Sequence, residues 1–184
     1  MTGPSASAAP GPRTERTRIT RHPERAVPER VEEILAIGLV AHVAYVAAGE
    51  PRVIPFLYGY EAGRLILHGD PASPTLTAIG SGLPVAVCVT ITGGLVPAAT
   101  AAGHAIDYRS VVAYGTAERV ADLAEKRRLL EALTSRYFPG RLAGRDYAPA
   151  SEEELARLEV VAIAIEEATA KARPAGIVDG ATRG

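Results

Sequence analysis

Residues 108–119 read Tyr-Arg-Ser-Val-Val-Ala-Tyr-Gly-Thr-Ala-Glu-Arg, and the reading of this stretch decides the fold. Val111, Ala113 and Gly115 alternate with Val112, Tyr114 and Thr116, the two-residue period of a strand. Gly115 is small enough to mark a bulge or the close approach of another backbone. The mouth of the strand carries chemistry. Tyr108 and Ser110 fall on one face and Arg109 on the other, unless a bulge turns them together. An anion held there could draw on both hydroxyls and a guanidinium.

Immediately upstream, Val85, Val87, Val89 and Ile91 alternate with Ala86, Cys88, Thr90 and Thr92 in the cleanest strand of the chain, and Gly93-Gly94 reads as a hairpin turn into Leu95–Ala99. A loop holding His104 then leads into the central strand. Further back, Val40–Ala47 and Arg52–Tyr60 read as strands joined by the turn Ala48-Gly49-Glu50-Pro51, with Pro55 restricting the second to an edge or a bulge. Arg64–His68 is a third strand after Glu61-Ala62-Gly63. Pro28 can open a short amphipathic helix over 28–37 that stops at Gly38, and Ser73 can cap another over 74–80. Downstream, Asp122 with Glu125 and Ser151 with Glu154 are capping boxes for two helices. Val161, Ile163 and Ile165 form the last alternation. Seven or so strands joined mainly by hairpins, with helices as insertions, predict a mostly β protein: an antiparallel sheet closed into a barrel, not a βαβ fold.

The 184 residues divide into an arm poor in large apolar side chains (1–26), one domain (27–173) and a Gly/Ala-rich tail (174–184), with both ends expected to be flexible. A formal net charge of −1 and the lack of a basic run interleaved with aromatics argue against nucleic acid as a partner. No apolar run reaches the roughly 18 residues of a membrane span, and no signal-peptide core is present. The single cysteine, Cys88, rules out a disulfide framework and is expected to pack in the core of a cytoplasmic protein. Four histidines without ligand spacing predict no metal site. The run Glu125-Lys126-Arg127-Arg128 reads as a solvated helix face. His68, at the end of an apolar strand, could bond a cofactor, relay a proton, ligate a haem iron or be a structural histidine; His104 is the second candidate acid or base.

The ordered set of motifs resembles the pyridoxamine 5'-phosphate oxidase-like FMN-binding split barrels, in the branch of the nitroimidazole-resistance proteins. The motifs are Arg18 to Arg25, His42, Val53-Ile54-Pro55, Leu65-Ile66-Leu67-His68-Gly69, Val85 to Thr92, Gly94-Leu95-Val96, His104 with Tyr108-Arg109-Ser110-Val111, Glu125-Lys126, Phe138-Pro139-Gly140-Arg141, and Lys171-Ala172-Arg173. The resemblance implies a split barrel with flanking helices, a homodimer with two FMN sites between subunits, and a redox role on a small-molecule substrate. It places Val53, Ile54 and Pro55 along the isoalloxazine edge and Leu67, His68, Gly69 and Ser73 at the ribityl chain and phosphate. Tyr108, Arg109 and Ser110 would complete the pocket.

The chain departs from that pattern at three places. Pro74 follows Ser73 where the family carries a basic residue, Ala98-Ala99-Thr100 replaces Ala-Arg-Ser, and Asp107 replaces an asparagine and adds a carboxylate that would repel a nearby phosphate. These changes open the alternative of a flavin-free split barrel holding haem or another small ligand, either as a sensor or as a catalyst using His68 or His104.

Overall fold

The computed structural model describes residues 14–173; the expectations for residues 1–13 and 174–184 lie outside them. Seven strands form one antiparallel sheet: β1 (Val40–Ala47), β2 (Glu50–Leu57), β3 (Gly59–Glu61), β4 (Arg64–Gly69), β5 (Ser81–Val96), β6 (Ala105–Arg119) and β7 (Glu159–Arg173). Their order is β2-β1-β5-β6-β7-β4-β3. Four helices are inserted: α1 (Val31–Ile37), α2 (Pro74–Ile79), α3 (Leu123–Tyr137) and α4 (Glu152–Arg157). This is the mostly β architecture of a split barrel.

The sheet is not closed by a ladder, which corrects the expectation of a closed barrel. Its two edge strands, β2 and β3, are successive pieces of one extended segment with only Tyr58 between them. β2 pairs with β1 through Val40↔Leu57, whereas β3 pairs with β4 through Gly59↔Ile66. One chain can reach both edges only if the sheet curls until they meet, and the changeover at Tyr58 is the split. Both flanking hairpins turn on a left-handed pair, Ala48-Gly49 and Ala62-Gly63, the two-residue geometry that matches strand twist.

β5 and β6 set the frame. Gly93-Gly94 does not turn the chain: β5 continues to Val96, and the two glycines fall in a register shift between Thr92↔Tyr108 and Leu95↔Ile106. The hairpin turn comes later, around Ala101–Gly103. At Gly115 the register with β7 shifts, and a Cβ there would lie 1.9 Å from the Ala164 carbonyl oxygen. The glycine therefore permits the backbone contact its position suggests. β7 is longer than the Val161–Ile165 alternation because Ala168, Ala170 and Ala172 continue its inward face with side chains too small to register as a hydrophobic pattern.

The barrel interior is filled by Val43, Leu65, Leu67, Val87, Val89 and Val111, with Ile34 and Leu35 of α1 and Leu76 and Ile79 of α2 packed into the same cluster. A second cluster lies outside the barrel, where Leu129 and Leu133 of α3 cover Ile66, Val160 and Ala162. Lys126 corrects the solvated-face reading of α3. It is buried, and its ammonium donates to the carbonyls of Leu155 (3.1 Å) and Leu158 (2.6 Å) at the end of α4. Cys88 also departs from expectation. Being out of phase with Val87 and Val89, it lies half-buried on the opposite face of β5 with its sulfur 3.7 Å from Thr90 Oγ1.

Residues 14–27 run along β7. Arg16 pairs with Glu167 and lies 4.9 Å over the Tyr114 ring, Lys171 Nζ donates to the Arg21 carbonyl at 2.7 Å, and Val27 N–H donates to the Ala170 carbonyl at 3.0 Å. The arm thereby reaches the mouth of β6. Among the described residues no helix is long and apolar enough to cross a membrane.

Candidate functional site

Arg109 sits at the start of β6, between Ile91 of β5 and Ala172 of β7. Its guanidinium reaches toward α1, where Nη1 lies 3.6 Å from Glu33 Oε1. Above it opens a cleft of about 450 Å³ onto which four arginines converge: Arg109, Arg25 and Arg30 from the arm and the turn before α1, and Arg173 from the end of β7. Val27 and Ile91 supply an apolar wall. Arg30 holds Glu33 in a two-point pair, Nε to Oε2 at 2.8 Å and Nη2 to Oε1 at 2.7 Å. These contacts keep the Glu33 carboxyl below the usual carboxylate range, the Arg30 hydrogen bond first and Arg109 as a smaller contributor. Glu33 thus fixes the Arg30 guanidinium and stands 3.6 Å from that of Arg109, leaving several N–H groups of both unspent.

Tyr108 lines the cleft beside Arg109, but Ser110 does not. Ser110 lies opposite Thr90 and Lys171, on the face away from Arg109 as strand alternation dictates; Tyr108 shares that face and lines the cleft from the strand's mouth. Asp107 shares the Arg109 face. It is 8% exposed, lines the cleft, and its Oδ1 has no hydrogen-bond partner among the described residues.

His68 lies elsewhere. It pairs with Val160 across β4 and β7 and faces α3, lining two neighbouring cavities of about 370 and 300 Å³. The first is walled by Leu130, Leu155 and Leu158 together with Arg127, Glu131 and Glu154, the second by Leu57, Leu133 and Phe138. The residue retains open surface, yet partial burial desolvates the ring and lowers its pKa below the ordinary 6.5, which favours the uncharged imidazole. Leu67, beside it, points into the barrel and is fully buried. Gly69 pairs with Glu159, and Ser73 spends its hydroxyl as the cap of α2, accepting from Leu76 N–H at 3.3 Å. Val53, Ile54 and Pro55 stand exposed on edge strand β2, against Ala44, Val43 and His42 of β1. His104 is at the β5–β6 hairpin, where Nδ1 accepts from Ala98 N–H at 2.9 Å, and it lines neither the Arg109 cleft nor the His68 cavities.

Within one chain the structure therefore brings Tyr108 and Arg109 together and keeps His68 apart from them. Arg25 and Arg173 carried a signal, since both end motifs of the resemblance, but their meeting with Arg109 depends on the arm crossing β7. Arg30 gave no such signal, and Asp107 is legible in the sequence only as an added carboxylate. Among the described residues no three His, Cys, Asp or Glu side chains gather to hold a metal ion.

Seven antiparallel strands curled around one core, with a cleft lined by four arginines beside Glu24 and Asp107, define a split-barrel protein. The chain belongs to the pyridoxamine 5'-phosphate oxidase family, whose model matches residues 28–172. It is 35% identical to the FAD and haem binding protein of Mycobacterium smegmatis, with 78% of this chain and 70% of that one covered and a TM-score of 0.72. It is 28% identical to a flavocytochrome of Azotobacter vinelandii, covering 97% and 80% of the two chains with a TM-score of 0.80. A putative 5-nitroimidazole antibiotic resistance protein of Bacteroides thetaiotaomicron shares the fold at 22% identity, 79% and 85% coverage and a TM-score of 0.61. No curated protein matches the sequence.

Proposed function

We propose that this chain is a flavin-binding oxidoreductase that works as a homodimer on a small-molecule substrate, with the phosphate of FMN or FAD held in the cleft under Arg109. The observation that carries the reading is the convergence of Arg25, Arg30, Arg109 and Arg173 on one cleft with an apolar wall. Guanidinium forks match phosphate oxygens, and an apolar wall suits an aromatic ring. Bound there, the flavin would supply the hydride or electron chemistry; the chain supplies charge, orientation and exclusion of water. The cluster also answers the missing cation after Ser73, because the arm and β7 bring other arginines to the anion. The relative named for FAD and haem supports the same reading.

The homodimer has its support in the uncovered side of the sheet. Val40 and Val46 of β1 and Val53 and Leu57 of β2 are exposed, and α3 covers only the β4–β7 side. A contiguous apolar face of this kind marks an interaction surface, and pairing through it would let Val53, Ile54 and Pro55 serve a site shared between copies. The lone free cysteine fits a reducing cytoplasm. Visible absorbance of the purified protein, native mass spectrometry and calorimetric titration with FMN and FAD test the proposal together. A yellow dimer retaining or binding one flavin per chain is expected. A colourless protein that takes up neither flavin would sink it.

A specific observation favours haem as a second cofactor. His68 offers an imidazole whose burial favours the uncharged form, in a mixed groove of leucines with Arg127, Glu131 and Glu154 at its wall, separate from the Arg109 cleft, and neutral imidazole is a common haem iron ligand. Separate cavities suit two cofactors better than one, and the two relatives at 35% and 28% identity are named for FAD and haem and as a flavocytochrome. Without a flavin, the haem site alone would define a sensor or a flavin-free catalyst. A Soret band on haem addition to the wild type, absent in His68→Ala, is the expected result.

A further inference from the structure

We infer that Lys171 is a positioning residue of the Arg109 cleft: by holding the Arg21 carbonyl it closes residues 21–26 into a loop that aims Arg25 at a bound phosphate. The inference rests on the reading of that cleft as a phosphate site and names the residue outside it that tunes its affinity.

The loop is fastened at both ends to a single position of β7. The Lys171 ammonium donates to the Arg21 carbonyl at 2.7 Å, and Ala26 forms an antiparallel bridge with Lys171. Between these anchors His22 is left-handed, with φ of 58°. Pro23 then opens one tight turn, Pro23–Arg25, in which Arg25 N–H donates to the His22 carbonyl at 3.1 Å and Ala26 N–H to the Pro23 carbonyl at 3.0 Å. The turn carries Glu24 and Arg25 onto the cleft, whereas Lys171 is not among the residues that line it. The Arg25 side chain is 27% exposed, so an anion entering the cleft can reach it.

A residue with a Cβ disfavours the left-handed region, and such a conformation persists only where its surroundings impose it. At the exit of the loop the Ala26 bridge does so. At its entry the hydrogen bond from Lys171 is the nearest tie to the barrel among the described residues. The next lies further up the arm, where the Glu167 carboxylate accepts from Thr14 and Arg16. An ammonium bonded to a carbonyl is a charge-assisted contact, and its loss would free the backbone from Arg21 to Arg25. Arg25 would then have to be ordered when the anion binds, a cost subtracted from affinity. Lys171 thus acts on the ligand through Arg25, not through its own charge.

The experiment is a double-mutant cycle on the full-length protein, Arg25→Ala against Lys171→Met, read by calorimetric titration with inorganic phosphate and with FMN on each probe the wild type binds. Arg25→Ala should weaken binding by roughly tenfold, the scale of one charged hydrogen bond. Lys171→Met should weaken it by about threefold, the scale of re-ordering one long side chain. In the Arg25→Ala background Lys171→Met should change nothing further, because contacts that act in series do not add. Lys171→Arg keeps a donor and should restore most of the affinity. Without ligand, trypsin should cut after Arg21 and Arg25 faster in Lys171→Met than in the wild type. Wild-type affinity in Lys171→Met, additive losses in the double variant, no rescue by Lys171→Arg, equal cleavage rates, or a wild type that binds neither probe would overturn the inference. Failure of FMN to bind while the cycle holds for phosphate sinks the flavin reading alone. FMN binding with additive losses sinks this inference alone.

Discussion

The Tyr137 hydroxyl stands in for a missing strand at Tyr58: it accepts from the Tyr58 N–H at 2.8 Å and donates to the Tyr58 carbonyl at 2.6 Å. Tyr58 is where the segment leaves one sheet edge for the other, so its backbone has no ladder partner, and a side chain from α3 satisfies both groups. The Tyr58 side chain is fully buried and donates to the Leu35 carbonyl at 2.6 Å. One tyrosine pair thus ties the split to both α1 and α3. Tyr137→Phe removes both bonds and leaves two peptide groups unpaired, which should destabilise the fold by about 1–3 kcal/mol. Urea denaturation at pH 7 measures it, and a loss near zero would show that water replaces the hydroxyl.

The same buried phenol makes stability depend on alkaline pH. Burial raises the Tyr58 pKa from 10.0 to about 12, so the folded state holds a proton that the unfolded chain gives up earlier. The stabilisation is complete below pH 10 and lost as pH rises through about 12. The urea midpoint of the wild type should fall across that window, and Tyr58→Phe should flatten the fall.

Arg109→Ala should weaken binding of FMN, or of any phosphorylated ligand of the cleft, by tenfold or more, the scale of one charged hydrogen bond. The Arg109 contact with Glu33 is long, at 3.6 Å and near the surface, so stability should change little. Calorimetry and thermal melts on the same samples separate the two effects. Unchanged affinity would remove Arg109 from the site.

Lys126→Ala strips the α4 carbonyls of their ammonium donor and empties a buried stem. A loss of about 1–3 kcal/mol is expected in urea denaturation, whereas a truly solvated lysine would change stability by less than about 0.5 kcal/mol. Gly115→Ala should cost about 3 kcal/mol or more, since its methyl would collide with the Ala164 backbone. Soluble yield and melting temperature report the damage.

Acid pH should act through His68. Its pKa is held below 6.5 by partial burial, so the folded state favours the neutral ring. That contribution is present above the unfolded value of 6.5 and lost as pH falls through the lower folded one. Stability of the ligand-free wild type should therefore decline on acidification through this range, and His68→Phe should show a shallower decline. Equal slopes would place the ring in water.

Sequence alone determined what depends on local periodicity and chain chemistry. The alternation of Val85 to Ile91 and of Val111 to Thr116, the Ser73, Asp122 and Ser151 caps, and the left-handed turns at Ala48-Gly49 and Ala62-Gly63 act within a few residues. They define most strands and helices before any packing is known, and the order of motifs names the family. Tertiary structure alone decided which ends of those elements meet. A period of two cannot reveal that Gly93-Gly94 is a bulge inside a longer strand, because a turn and a bulge ask the same freedom of glycine. Nor can it show that Lys126 is buried, which depends on α4 docking over α3. His68 and Arg109 share a motif order but not a cavity, since the strand curl carries β4 and the mouth of β6 to different sides of the barrel. The arginine cluster exists only because an arm of some dozen residues crosses β7, and charge convergence across such sequence separations follows from chain path, not from spacing.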